Sequence, residues 1–293
     1  MNIHALVLGL KGLRTIEALS ESGLPIQLHC QIGRDSNVQD DYSAQIAEYC
    51  RQREIPFTFR GDANSSLCSA SFVLAVAWRW MIRDIDEKKL LVFHDSLLPR
   101  YRGFAPLVSA LLNREPEIGV TALFGADEYD RGNIIAQCKM EVKYPTTIQS
   151  EINRISYLYA RLSVIAVSTL LKNPSDRGSP QNEVLATYSL WRDDEDYRIN
   201  WSNDANYIQH FVACLGFPYL GASTTANNRL IRILSCSVTS DVNIENRTPG
   251  KVIFLKNNLP VVVCGKGLLT IERAVYENGE DALPFPSFRI LFK

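Results

Sequence analysis

Apolar residues in the first half of this chain come in short runs, split by polar turns and by stretches with helical spacing. Ile3 to Leu10 is an apolar run interrupted by Gly9, Gly12 follows, and Leu13 to Ser20 reads as a helix. This is a strand–turn–helix start of the doubly wound kind. Pro25 to Cys30 reads as a second strand, Asp40 to Arg53 as a helix with Ile46 and Tyr49 on one face, and Pro56 to Phe59 as a short strand. Phe72 to Ala77 is an uninterrupted apolar run, as expected for a strand buried on both faces. Leu90 to His94, Gly119 to Phe124 and Ile134 to Val142 continue the strands, with helices over Pro106 to Asn113 and Thr147 to Leu171. Lys172 to Asn182, broken by proline, glycine and polar residues, reads as a linker. Beyond it the grammar changes. A helix over Asn203 to Leu215 precedes short apolar runs at Leu230 to Ile233, Lys251 to Leu255, Pro260 to Cys264 and Leu268 to Arg273. Asn257-Asn258 and Gly265-Lys266-Gly267 punctuate them as hairpin turns. The pattern predicts an α/β domain over 1–180 and a smaller β-rich domain over 185–293, a small barrel or partly open sheet.

At 293 residues the chain can build two cores. A formal net charge of −1 supplies no drive toward nucleic acid or an anionic membrane. From Leu185 onward eleven Lys/Arg face eleven Asp/Glu, and Asp193-Asp194-Glu195-Asp196 forms an acidic turn, which argues against a tRNA-binding domain. Cys30, Cys50, Cys68, Cys138, Cys214, Cys236 and Cys264 are scattered, with no CxxC pair. They read as buried free thiols in a reducing compartment, not a disulfide frame or a zinc site. The start, Met1-Asn2-Ile3-His4, lacks a basic signal-peptide region, and no apolar run approaches the roughly 20 residues that span a bilayer. The expectation is a cytoplasmic chain without a metal, with a homodimer as the default assembly.

Of four histidines, His4 and His29 lie inside apolar strand-like runs and His210 in an amphipathic segment. Only His94 stands where a strand gives way to a Pro/Arg/Gly-rich loop, Asp95-Ser96-Leu97-Leu98-Pro99-Arg100-Tyr101-Arg102-Gly103. Open α/β sheets place their chemistry at such ends. Asp130, in Asp130-Arg131-Gly132, is a carboxylate on a later turn. Together they can form a general base and its partner, able to deprotonate an amine attacking a carbonyl. The alternative reading of such a pair is structural.

His94 through Gly103, Gly119-Val120-Thr121 and Asp130-Arg131-Gly132-Asn133-Ile134-Ile135 together resemble the signature of the folate-dependent formyltransferases, Asn-x-His-x-Ser-Leu-Leu-Pro followed by Asp-x-Gly-x-Ile. Ile199-Asn200-Trp201-Ser202 and Pro249-Gly250-Lys251-Val252-Ile253 are similar to the C-terminal domain of the methionyl-tRNA and aminosugar members. The resemblance implies a Rossmann-like N-terminal formyltransferase domain with an OB-like β-rich C-terminal domain. It implies formyl transfer from 10-formyltetrahydrofolate to a primary amine, with His94 as base and Asp130 orienting its proton. It places the pterin against Trp78, Arg79, Trp80, Met81 and Ile82 and against Gly125, Ala126 and Asp127, with Leu98 as an apolar wall. Packing at a strand end is the alternative for Trp80.

The Trp78-Arg79-Trp80 run is more like the aminosugar branch than the tRNA branch, which implies a nucleotide-linked aminosugar acceptor and surface polysaccharide synthesis. Asp95, Ser96 and Arg100 are candidates for holding that acceptor. Asp95 could equally cap a turn, and Arg100 could equally pair with a carboxylate. For Arg102 the expectation is a loop-holding ion pair. The family's Asn, two positions before its His, polarises the formyl oxygen; here that position is Val92. A backbone amide, Asn133 or protonated His94 could take its place, or the acyl group could differ, or the chain could be a non-catalytic relative. Methionyl-tRNA formyltransferase is the alternative enzyme.

Overall fold

The computed structural model describes residues 1–62, 70–285 and 288–293. Cys68 lies outside the described residues. The chain divides into two compact units, Met1–Lys143 with Ser150–Trp191, and Tyr144–Gln149 with Arg192–Lys293.

In the first unit the elements run β1 (Asn2–Val7), α1 (Gly9–Glu21), β2 (Gln27–Ile32), α2 (Ser43–Gln52), β3 (Phe57–Phe59), β4 (Phe72–Val76), β5 (Leu90–His94), β6 (Arg102–Gly103), α3 (Pro106–Leu112), β7 (Glu117–Phe124), β8 (Ile134–Glu141), α4 (Ile148–Lys172) and β9 (Tyr188–Ser189). Seven strands form one sheet in the order β3-β2-β1-β4-β5-β7-β8. The strands from β3 to β5 are parallel, whereas β7 runs antiparallel to β5 and β8 antiparallel to β7. The strand order reverses between β1 and β4, so loops at the carboxyl ends of the central strands open a crevice. All five residues of β4 are buried, which is why Phe72–Val76 reads as continuous apolar sequence.

Two boundaries differ from the sequence reading. Helix α1 starts at Gly9, taking in the end of the expected strand, because Gly9 adopts φ +68° and turns the chain at once. The first unit continues to Trp191, past the expected linker and the expected break near residue 180. Its last residues are tied in place: β9 pairs with β6, and Gln181 and Glu183 bind the fully buried Arg102. Helix α4, expected over Thr147 to Leu171, is 25 residues long and is, among the described residues, the one helix long and apolar enough to cross a membrane by length and composition. Its buried residues Glu151, Ile155, Tyr159, Leu162, Ala166 and Leu170 recur at helical spacing, so one face packs inward as in a core helix.

The second unit comprises α5 (Ala205–Leu215) and a five-stranded antiparallel sheet of β10 (Ala222–Ala226), β11 (Arg229–Thr239), β12 (Val252–Lys256), β13 (Leu259–Val263) and β14 (Leu268–Tyr276), ordered β10-β11-β14-β13-β12. Val261, Val263 and Leu268 pack with Ile244 and Ile253. Trp201 is anchored by Nε1 donating to Thr224 Oγ1 at 2.9 Å, its ring against Phe292. Strand β10, Ala-Ser-Thr-Thr-Ala, carries no large apolar side chain and escapes a pattern-based reading.

Among the described residues, six cysteines are free: Cys30, Cys50, Cys214, Cys236 and Cys264 buried, and Cys138 half-buried. Burial pushes the Cys236 and Cys264 thiols up to about 12, which makes them poor nucleophiles.

Candidate active site

Strand β5 carries His94 to the carboxyl edge of the sheet. Side chains alternate along a strand, so Val92 and His94 share one face while Leu91 and Phe93 pack on the other. His94 is 8% exposed. Its Nε2 lies 2.7 Å from the carbonyl oxygen of Tyr101. A carbonyl only accepts, so Nε2 carries hydrogen and Nδ1 is the nitrogen free to gain or lose a proton. Nδ1 lies 3.4 Å from Asp130 Oδ1. The neutral ring therefore turns a lone pair toward a carboxylate, and a proton arriving at Nδ1 converts that contact into an ion pair. This is the arrangement a general base requires.

Asp130 is fixed independently. Its Oδ2 accepts the Gly103 N–H at 2.8 Å, and its backbone carbonyl accepts Gln181 Nε2 at 2.7 Å. Gly103 has φ +97°, and a Cβ there would fall 2.6 Å from the Ser189 carbonyl. Only glycine lets β6 pair with β9 while its amide reaches Asp130.

Polar side chains clamp the intervening loop from below. Thr121 Oγ1 donates to the Ser96 carbonyl at 2.7 Å and accepts the Leu98 N–H at 3.1 Å. Gln137 Nε2 donates to the Leu98 carbonyl at 2.9 Å and to Thr121 Oγ1 at 2.8 Å. Leu98 is buried within this clamp.

The three candidate acceptor ligands are already engaged. Asp95 accepts from Lys11 Nζ and, at 2.5 Å, from the Tyr159 hydroxyl. Buried Ser96 donates to the Arg100 carbonyl at 2.7 Å. Arg100 forms a two-pronged ion pair with Glu115 and lies 5.3 Å from the Tyr101 ring centroid. Each of the three thus has a partner within the protein: Asp95 on α1 and α4, Ser96 within the loop and Arg100 at Glu115. Arg102 does hold the loop, through Gln181 and Glu183 and not Asp95. The Arg102 guanidinium holds the Glu183 carboxyl down to about 2.

The expected pterin-contacting segments flank β5. Trp78 to Ile82 follow β4, and Gly125 to Asp127 follow β7, the two strands on either side. The Gly125 amide bonds the Leu90 carbonyl at the start of β5, while Asp130 reaches His94 at its end. The 125–130 segment therefore runs the length of β5, past half-buried Val92. Ala126 and Asp127 are exposed, as is Met81, and Ile82 is half-buried. Trp80 is packed: its ring meets Trp78 edge-on at 4.8 Å, Arg60 lies 4.4 Å over it, and a Cβ at Gly33 would fall 2.6 Å from it. Arg79 pairs with Asp35. Trp80 and Arg79 thus brace the strand end and leave Met81 and Ile82 toward the open side.

Tyr101, Gln181, Gln137, Lys11 and Tyr159 are functional candidates that sequence reasoning misses. Thr121 lies in a quoted signature but gains its role only here. At Val92, in register with Ala75 and Leu123, no side-chain hydrogen-bond donor exists. Asn133 is not free to replace it, since Nδ2 donates to the Arg177 carbonyl at 2.8 Å.

A mixed α/β sheet with a strand-end His–Asp pair, and a separate antiparallel β unit, define an enzyme-like two-unit architecture. Residues 68–165 match the formyl transferase family model, and residues 192–288 match the formyl transferase C-terminal domain. The chain belongs to the formyl transferase family. A methionyl-tRNA formyltransferase from Staphylococcus epidermidis is 30% identical over 172 residues, covering 59% of this chain and 54% of the relative. The chain thus spans about half the length of that curated relative. Among solved structures, the N-formyltransferase from Helicobacter canadensis, in complex with folinic acid and dTDP-3-aminofucose, aligns with TM-score 0.63 at 16% identity, over 92% of this chain and 98% of its own. HypX from Aquifex aeolicus, in complex with tetrahydrofolic acid, aligns with TM-score 0.63 at 17% identity, over 95% of this chain and 45% of its own. These two likenesses are of fold.

Proposed function

We propose that this protein transfers the formyl group of 10-formyltetrahydrofolate to the primary amine of a nucleotide-linked aminosugar. The observation that carries the proposal is His94, with Nε2–H held by Tyr101 and Nδ1 open toward Asp130. The folate donor supplies an activated formyl carbon. As the amine bonds to the formyl carbon, His94 Nδ1 takes the proton that the amine loses and Asp130 stabilises the imidazolium; the formyl C–N10 bond then breaks and that proton passes to N10 of the departing tetrahydrofolate. The exposed residues 126–128, with half-buried Ile82 and Val92 as apolar surface, fit a flat heterocycle. Val92 offers the developing oxyanion no side-chain hydrogen-bond donor.

The aminosugar reading is supported by the full-length fold likeness to the Helicobacter canadensis enzyme and by the balanced charge of the second unit. A second reading, methionyl-tRNA as acceptor, is favoured by the 30% identical relatives. Tetrahydrofolate release, followed with a panel of nucleotide-linked aminosugars and with methionyl-tRNA, separates them. A sugar gaining one formyl group establishes the first reading. Formylated, salt-sensitive tRNA establishes the second, release without an acceptor indicates hydrolysis, and no release overturns both.

A further inference from the structure

Two exposed aromatic residues flank the Asp130 carboxylate. Tyr129 precedes Asp130 in the chain, and Phe104 follows Gly103, whose N–H binds Asp130 Oδ2 at 2.8 Å. Covalent geometry keeps the Phe104 Cα within about 8 Å of that oxygen and the Tyr129 Cα about 3.8 Å from the Asp130 Cα. The two rings meet, with centroids 5.8 Å apart and planes at 56°. Phe104 is 49% exposed and Tyr129 63%. The Phe104 N–H donates to the Ser189 carbonyl at 3.0 Å, and the next residue along, Leu190, is 75% exposed.

Apolar side chains exposed singly are ordinary, whereas adjoining ones mark a contact surface. Here the backbone beneath them is held: Gly103 pairs with Ser189, and the Asp130 carbonyl accepts Gln181. The pair is therefore ordered before a ligand arrives. Its surroundings add no free cation, since the neighbouring Arg131 is matched by Glu128 and Glu183. The faces of aromatic rings are slightly negative and attract polarised C–H groups, such as those on the apolar face of a hexose ring.

We propose that Phe104 and Tyr129 form the wall on which the acceptor's sugar ring packs, with its amine directed at His94 Nδ1. The inference rests on the proposed function and adds two acceptor-specificity residues to it. So close to Asp130, the sugar ring is the part of a nucleotide-linked aminosugar that meets the pair; the diphosphate and nucleoside lie beyond it. Phe104 follows the β6–β9 ribbon, which is no part of the seven-stranded sheet. The residues expected at the pterin, 126–128, precede Tyr129 along β5, so the wall serves the acceptor and not the donor. A packing surface of this kind holds the sugar alike before and during transfer, and so acts on KM more than on kcat.

The probes are dTDP- and UDP-linked aminohexoses as acceptors and folinic acid as a stable donor analogue. Phe104→Ala and Tyr129→Ala should each raise the acceptor KM about tenfold, with a smaller effect on kcat and none on folinic acid binding. Phe104→Tyr and Tyr129→Phe keep the ring and should stay near the parent. In NMR difference spectra, saturation of the protein's aromatic protons should reach the sugar-ring protons more than the base protons, and weaken in either truncation. Thermal midpoints confirm that the truncated proteins are folded. A parent that neither binds nor formylates any of these sugars would overturn the wall together with the proposed function. A parent that formylates one, with an unchanged acceptor KM in both truncations, would overturn the wall alone. Weakened folinic acid binding at unchanged acceptor KM would give the rings to the donor, and a changed oligomeric state at unchanged KM would give them to contact between copies; either overturns the wall.

Discussion

His94 and the pair His4–His29 belong to one sheet and meet opposite environments. His4 lies in register with His29 and with Val73, and Val73 with Leu90, so His4 is level with the first residue of β5 and His94 is its last. The His4 and His29 rings stack at 4.9 Å, 14° from parallel. Each has a buried Nε2 with no hydrogen-bond partner. Burial, then the neighbouring His29, pushes His4 down to about 4. His94 is about as buried, yet one nitrogen meets a carbonyl and the other faces a carboxylate. Within the sheet, backbone groups are committed to the ladder and offer a side chain nothing. Where β5 ends, the chain turns, the Tyr101 carbonyl comes free, and a loop carboxylate can approach. Position along the strand, more than burial, separates a candidate base from a filler.

The largest test of that contrast is truncation. His94→Ala should lower transfer by about 10²–10⁴-fold, while His4→Phe leaves kcat within about a factor of two. Steady-state rates on one acceptor check both.

Stability should show the reverse. The folded state keeps His4 neutral, whereas the unfolded chain protonates near the ordinary histidine value of 6.5. As pH falls from 6.5 toward 4, the unfolded state binds the proton first and stability declines by about 3 kcal/mol. Urea midpoints at both ends of that window should show this decline in the parent and not in His4→Phe.

A smaller effect concerns the face shared by Val92 and His94. Val92→Asn should raise kcat by about 10- to 100-fold by restoring an oxyanion donor. A flat result with folate still bound would mean that another group already fills that role.

The smallest effect is structural. Arg102→Ala should cost about 2 kcal/mol, because one partner, Glu183, is half exposed to water and screened. Glu183 is depressed to about 2 from 4.5. Its contribution is present above about 4.5 and is lost as pH falls toward 2, so the parent and Arg102→Ala should converge in thermal stability at acid pH.

Much of the scaffold is legible in the sequence because it rests on local periodicity. The buried β4 run, the end of β5 at His94 and the turn at Asp130 all follow from apolar spacing and turn residues. The supports of the site are not legible. Tyr101 acts through a backbone oxygen, presented by φ +59° that no side-chain pattern announces. Gln181 and Glu183 sit in a segment whose composition is that of a linker, and only the buried Arg102 reveals why it is held. Lys11 and Tyr159 meet Asp95 through tertiary closure, far apart in sequence. Asp95, Ser96 and Arg100 have the chemistry of ligands, and the partners each has within the protein are set by tertiary contacts that the sequence does not show.

The most direct measurement is formyl transfer to one identified acceptor by the parent protein, His94→Ala and Asp130→Asn, with mass analysis of the product. The account predicts a formylated amine from the parent, virtually none from His94→Ala, and a strongly reduced yield from Asp130→Asn. Undiminished transfer by His94→Ala would contradict it.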